Sequence, residues 1–276
     1  MKRNSIVILF LMMILQLPAG KLSAGEFDYV QPFKLDPINE TIQITAGVGL
    51  TGSAIVFDKC FKIKANQYYP EAWPKSDIPN MDQFFMRPYS KPLHITGTAT
   101  MALAVASPLF FVAMPPKEWP TIGTMYGETM LLANGIKEWL KLIVYRARPY
   151  MYFDNYPLDK VEKGDWSCSF PSGHTTLAFA SAAFTTMVYC QCYPESVMQY
   201  VVAGVSFGLA TITGALRVAS GNHFLSDVLI GAIIGTACGF LVPFLHSQSF
   251  YNSFQKPSDK TSADISPAGL TFTFAL

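Results

Sequence analysis

Three short polar clusters interrupt an otherwise apolar chain, and their residue types suit the handling of an oxyanion. The first is Lys141-Leu-Ile-Val-Tyr-Arg146-Ala-Arg148-Pro149. Lys141 and Arg148 are seven positions apart, two helical turns, so a helix sets them on one face. Pro149 disfavours the helical conformation at Arg148 and ends the run. Arg grips a dianion with a planar fork and Lys adds a point charge. A basic cap at a helix C-terminus accounts for the same residues equally well. The second cluster is Ser169-Phe-Pro-Ser172-Gly173-His174, directly before an apolar run that begins at Thr175. The backbone N–H groups at such a helix start, Gly173 among them, face outward and bind anions. Ser172 can donate as well, and His174 exchanges a proton near neutral pH. An N-cap role explains Ser172 but does not require the histidine. The third cluster is Arg217-Val-Ala-Ser-Gly-Asn-His223-Phe-Leu-Ser-Asp227. Gly221 breaks one helix and His223 opens the next, so His223 and Asp227 are stacked at i, i+4. A carboxylate bonded to one ring nitrogen fixes the tautomer and frees the other nitrogen to attack. That is the orienting logic of a catalytic triad, with His as nucleophile. A His–Asp pair that merely stabilises a turn is the plainer reading, but a carboxylate at the start of an apolar helix is costly without a task.

Together these clusters supply three cations, an anion-binding helix start, an acid and an oriented nucleophile. That set suffices for phosphoryl transfer, which asks for positioning and charge stabilisation. No cofactor is expected. No cluster shows metal ligands at metal spacing, and none of the five cysteines joins one.

The elements that must position these residues are apolar helices. Half of the 276 residues are hydrophobic and 14% are charged, against about 25% in ordinary soluble domains. A net charge of +1 gives no basic footprint for nucleic acid. Ile95–Met114 is free of charge over about the length that a bilayer requires. Thr175–Cys190, Met198–Leu216 and Val228–Leu245 are charge-free too and lack the polar stripe of a soluble core helix. Trp119–Tyr145 is long but carries Glu128, Lys137, Glu138 and Lys141. Ile44–Phe57 is shorter and Gly-rich. Gly231 and Gly235 form a GxxxG pattern, a weak signal by itself. Asp58–Lys91, rich in aromatics, Pro and Lys, reads as a surface segment. At the N-terminus a basic start, a short apolar run and Leu22-Ser23-Ala24 describe a cleavable signal peptide over 1–24. From residue 247 the chain turns polar, as a tail.

The ordered set Lys141-x6-Arg148-Pro149, Pro171-Ser172-Gly173-His174 and Arg217-x5-His223-x3-Asp227 resembles the type 2 phosphatidic acid phosphatase superfamily. That superfamily also includes bacterial class A acid phosphatases and vanadium haloperoxidases. The resemblance implies an all-α fold, a six-helix transmembrane bundle occupying residues 25–246. It implies His223 as nucleophile, Asp227 as its orienting partner and His174 as general acid. Lys141, Arg148, Ser172, Gly173 and Arg217 become the phosphate cradle. It further implies metal-free hydrolysis of a phosphorylated lipid: phosphatidic acid, phosphatidylglycerophosphate, undecaprenyl pyrophosphate or a lipid A phosphate. Leu216 stands where many relatives have Ser, and Arg146 is off the motif. A soluble periplasmic acid phosphatase shares the site but not the charge-free helices. A transporter or scaffold leaves the His–Asp pair unexplained. The basic Asp58–Lys91 segment favours the cytoplasmic side. The fourteen residues of Ile44–Phe57, against roughly 20 needed to cross, and the resemblance to enzymes of envelope lipids place the site on the periplasmic face of a bacterial inner membrane.

Overall fold

The computed structural model describes residues 29–61, 75–154 and 156–255. The expected signal peptide, the middle of the aromatic surface segment and the tail beyond 255 lie outside them. Among the described residues the chain is helical, with only two isolated β-bridges, Phe33 with Ser247 and Arg146 with Cys168.

Helix α1 covers Pro37–Phe61, well beyond the apolar stretch that marked it. Asp36 Oδ1 accepts from the backbone N–H groups of Ile38 and Asn39 at 3.1 and 3.2 Å, and Pro37 occupies the first helical position, so the start is capped upstream of the apolar residues. A short α2, Asn80–Phe85, follows. Next, α3 covers Lys91–Val105 and passes into a 3-10 turn over Ser107–Ala113. The sequence predicts one helix there, but Pro108 has no N–H to continue the α ladder. Helix α4 is Trp119–Ile143 and α5 is Leu158–Glu162. The last four are α6, Gly173–Cys192, α7, Met198–Ala219, α8, Leu225–Leu245, and α9, Gln248–Gln255.

Three stretches are long and apolar enough to cross a membrane: Lys91–Ala113, Met198–Ala219 and Leu225–Leu245. Their outer faces expose Val201, Val205, Ile212, Ile233 and Leu241, an apolar surface that water would not tolerate at this extent. Helix α6 is the axis of the fold and packs against α3, α4, α7 and α8. Covered on all sides, it needs no polar stripe. Its partner α8 approaches through Gly231, Gly235 and Gly239. A Cβ at Gly231 would sit 2.8 Å from Ser172 O, and at Gly235 and Gly239 it would overlap the carbonyl oxygens of Thr176 and Ala180.

The turn between α7 and α8 is held from outside. Gly221 has φ +69°, and a Cβ there would sit 2.6 Å from Pro88 O. Its carbonyl accepts from Tyr150 N at 3.1 Å, and Ser90 N donates to Ser220 O at 3.2 Å. Gly221→Ala therefore adds left-handed strain, about 1–3 kcal/mol, to a direct clash. The expected outcome is a lower unfolding temperature with simultaneous loss of activity, read by thermal unfolding in detergent. An unchanged melting temperature would refute this account of the turn.

Candidate active site

The ends of five helices meet on one side of the bundle. Three are N-termini, of α3, α6 and α8, whose first-turn amides have no intrahelical acceptor and carry partial positive charge. The C-terminal ends of α4 and α7 bring Lys141 and Arg217. Between them is a cavity of about 540 Å³ lined by Lys141, Arg148, Gly173, His174, Arg217 and His223 among others. Six of the eight residues singled out in the sequence thus border one space. The two that do not are Ser172, whose hydroxyl pairs with Thr175 Oγ1 at 2.9 Å, and Asp227, which lies behind His223.

Lys141 and Arg148 share the cavity but not a helical face. Helix α4 stops at Ile143, Val144 is extended, and Arg148 is extended at φ −74°, ψ 153°. The strand-like segment pairs instead with 166–169: Arg146 N donates to Ser167 O at 3.1 Å, Arg148 N to Trp166 O at 2.7 Å, and Ser169 N to Arg146 O at 3.0 Å. Pro149 enforces the extended backbone at Arg148, since the residue before a proline avoids the helical region.

The His–Asp geometry also differs from the spacing argument. His223 precedes α8 and is not part of it, so i, i+4 stacking does not apply. Its Nδ1 lies 2.7 Å from Ser169 O, while the nearest Asp227 oxygen is 3.7 Å away. A carbonyl only accepts, so Nδ1 carries the hydrogen and Nε2 holds the lone pair. Arg148 Nη1, which only donates, reaches that Nε2 at 3.0 Å. Asp227 acts one bond further back. It accepts from Ser169 Oγ at 2.6 Å, from Phe224 N at 2.9 Å and from Arg146 Nη1 at 2.5 Å. It thereby fixes Ser169, whose carbonyl fixes the imidazole. Burial, then Arg148, Arg217 and Lys141, push the His223 pKa well below its ordinary value, which keeps the ring neutral at physiological pH.

Several residues of the site carry no motif of their own. Arg146, off the motif, bridges Asp227 to Asp82 at 2.7 Å, and Asp82 in turn accepts from Ser226 N and Oγ at 2.9 and 2.6 Å. Asp165 Oδ1 takes Arg148 Nη2 at 2.7 Å and its backbone O takes Nε at 2.7 Å. Burial alone would raise the Asp165 carboxyl, but Arg148 and Lys160 outweigh it and hold the pKa below the ordinary carboxylate range. His94, at the start of α3, accepts from Arg217 Nη1 at 3.0 Å through Nδ1. Thr98, one turn on, holds His174 Nε2 at 3.1 Å.

The charge balance is uneven. Lys91, Lys141, Arg148, Lys160, Lys163 and Arg217 line the cavity against Asp159 and Asp165. Arg217 is 2% exposed, and its Nε has no hydrogen-bond partner. Among the described residues no carboxylate lies within ion-pair distance of Arg217 or Lys141. A buried guanidinium without a counter-charge costs several kcal/mol, which an anion in the cavity would offset.

Residues 123–251, which hold all three motifs, match the PAP2 superfamily. The chain carries a PAP2 superfamily domain. Over 73 residues the chain is 41% identical to the lipid A 1-phosphatase of Porphyromonas gingivalis, covering 26% of this chain and 15% of that protein. Over 122 residues it is 34% identical to phosphatidylglycerophosphatase B of Bacillus subtilis, covering 43% of this chain and 53% of that one. The chain therefore spans about half the length, or less, of these curated relatives. A crystal structure of a transmembrane PAP2-type phosphatidylglycerolphosphate phosphatase from Bacillus subtilis aligns over 80% of this chain and 98% of its own, with 20% identity and a TM-score of 0.43.

Proposed function

We propose that the protein is a metal-independent membrane lipid phosphatase that works through a phosphohistidine on His223. The observation that carries this is the cation-rich cavity, with buried Arg217 lacking a carboxylate partner and a neutral imidazole lone pair at its floor. The phosphoryl group sits among Lys141, Arg148, Arg217 and the Gly173 backbone, which stabilise the charge on its non-bridging oxygens. His223 Nε2 attacks phosphorus and the P–O bond to the lipid breaks. His174 gives its proton to the departing oxygen. Water, deprotonated by His174, then attacks the phosphohistidine and releases inorganic phosphate, restoring both rings. Asp227 and Ser169 hold the nucleophile.

In this reading α1, α4 and α6 complete a six-helix transmembrane bundle with the three apolar spans. Residues 1–24 direct insertion, residues 25–246 form the phosphatase domain and 247–276 a tail. The two curated relatives act, by their names, on lipid A and on phosphatidylglycerophosphate, which supports a phosphomonoester of a membrane lipid as substrate. Polyprenyl pyrophosphate and phosphatidic acid belong to the same chemistry. The test is phosphate release by the purified protein from lipid A, phosphatidylglycerophosphate, phosphatidic acid and undecaprenyl pyrophosphate. The reading requires turnover of at least one, inhibited by vanadate in competition with lipid. No release from any of the four would overturn it.

A further inference from the structure

A second cluster of titratable groups lies at the far end of α8. His223 precedes that helix and His246 follows it, so the two lie about 30 Å apart at 1.5 Å per residue. Glu40 from the first turn of α1, Glu128 from the middle of α4 and His246 bring one ligand atom each to within 4.8 Å of one another. We propose that Glu40, Glu128 and His246 bind a divalent transition-metal ion, of the Zn²⁺ or Mn²⁺ class, that clamps α1 and α4 to the end of α8.

The tautomer of His246 is the starting point. Its Nδ1 is 2.8 Å from Val242 O. The carbonyl can only accept, so Nδ1 carries the hydrogen and the neutral ring directs the Nε2 lone pair at the carboxylates. Metal-bound histidines are oriented in this way, with the other N–H on a backbone carbonyl. Nε2 lies 2.9 Å from Glu40 Oε1 and 3.3 Å from Glu128 Oε2. A lone pair facing two carboxylate oxygens is repulsive unless something positive lies between them. Among the described residues, His246 is the only basic group within ion-pair distance of either glutamate. Protonating it supplies one charge against two.

Glu128 is 2% exposed, and neither of its oxygens has a hydrogen-bond partner. Glu40 Oε2 has none either. Burying an unsatisfied carboxylate is costly. A dication neutralises two carboxylates and fills these empty acceptor positions at once. Ligand bonds of about 2.0–2.2 Å to His nitrogen and carboxylate oxygen fit a triangle of this size. One His with two carboxylates selects a borderline cation over Ca²⁺, which takes an all-oxygen shell.

The experiment is metal analysis of the full-length protein, purified without chelator or metal-affinity resin. Wild type is expected to hold close to one zinc or manganese per chain, as a single three-ligand site requires, and Glu128→Gln and His246→Gln to hold none. After EDTA treatment, ZnCl2 or MnCl2 should raise the melting temperature of wild type and leave that of Glu128→Gln unchanged. Wild-type protein with no stoichiometric ion and no melting shift on adding either salt would overturn the proposal and leave a proton-sharing triad. Should the variants fail to fold, the wild-type stoichiometry and titration decide alone.

Discussion

His223→Ala should release no phosphate from any lipid, while inserting and folding as the parent does. The side chain is buried between Arg148 and the Ser169 carbonyl, and its Nε2 accepts from Arg148 Nη1 at 3.0 Å. In the proposed mechanism, removing it takes away the atom that bonds to phosphorus. Residues that act as a unit lose nearly all activity when one is deleted, on the order of 10⁴-fold or more. Folding should survive, because Arg148 Nη1 keeps the Asn222 carbonyl at 2.9 Å and Nη2 keeps Asp165. The comparison is phosphate release against the melting temperature of each variant in the same detergent. A variant with parental melting behaviour and more than a few per cent of parental rate would end the phosphohistidine mechanism.

The loss at His174 should depend on what leaves. A lipid alkoxide departs poorly unless it is protonated as the bond breaks, and a general acid contributes about 10²–10⁴-fold. His174 sits at the start of the central helix, with Thr98 on Nε2, and borders the cavity with His223. With a lipid phosphate, His174→Ala should be nearly inactive. With p-nitrophenyl phosphate, whose leaving group needs little protonation, it should keep a much larger fraction of the parental rate. His223→Ala should be inactive on both. Equal fractional loss of the two substrates in His174→Ala would assign His174 to binding or structure instead of proton transfer.

The three motifs were legible as chemistry because each is local: a few residues at a helix end announce an anion site, whatever surrounds them. The apolar segments were legible for a similar reason, and the observed α6, α7 and α8 begin or end within three residues of the expected bounds. What escaped the sequence depends on approach between distant positions. Asp82 and Ser226 are 144 residues apart and His94 and Arg217 are 123 apart, and nothing in either neighbourhood marks the partner. Ser169 carries no motif role in the sequence, yet its carbonyl and hydroxyl link His223 to Asp227. Lys141 and Arg148 border one cavity although α4 ends at Ile143 and Arg148 is extended, a course of the chain that a shared helical face does not describe. The Glu40–Glu128–His246 cluster spans 206 positions and has no spacing to read.

The glycine ridge of α8 sets a limit on how this protein can adapt. With Gly231, Gly235 and Gly239 laid against the main chain of α6, the helices that frame His174 and His223 meet bone to bone, with no side chain between them to serve as a shim. The gap between His174 and His223 has little adjustment, and a bulkier ligand cannot pry it wider. Tolerance for different ligands would have to be built where the walls are soft, at exposed Lys91 and Lys163 on the cavity margin. Diversification of such an enzyme would redraw its doorway and leave the vice untouched.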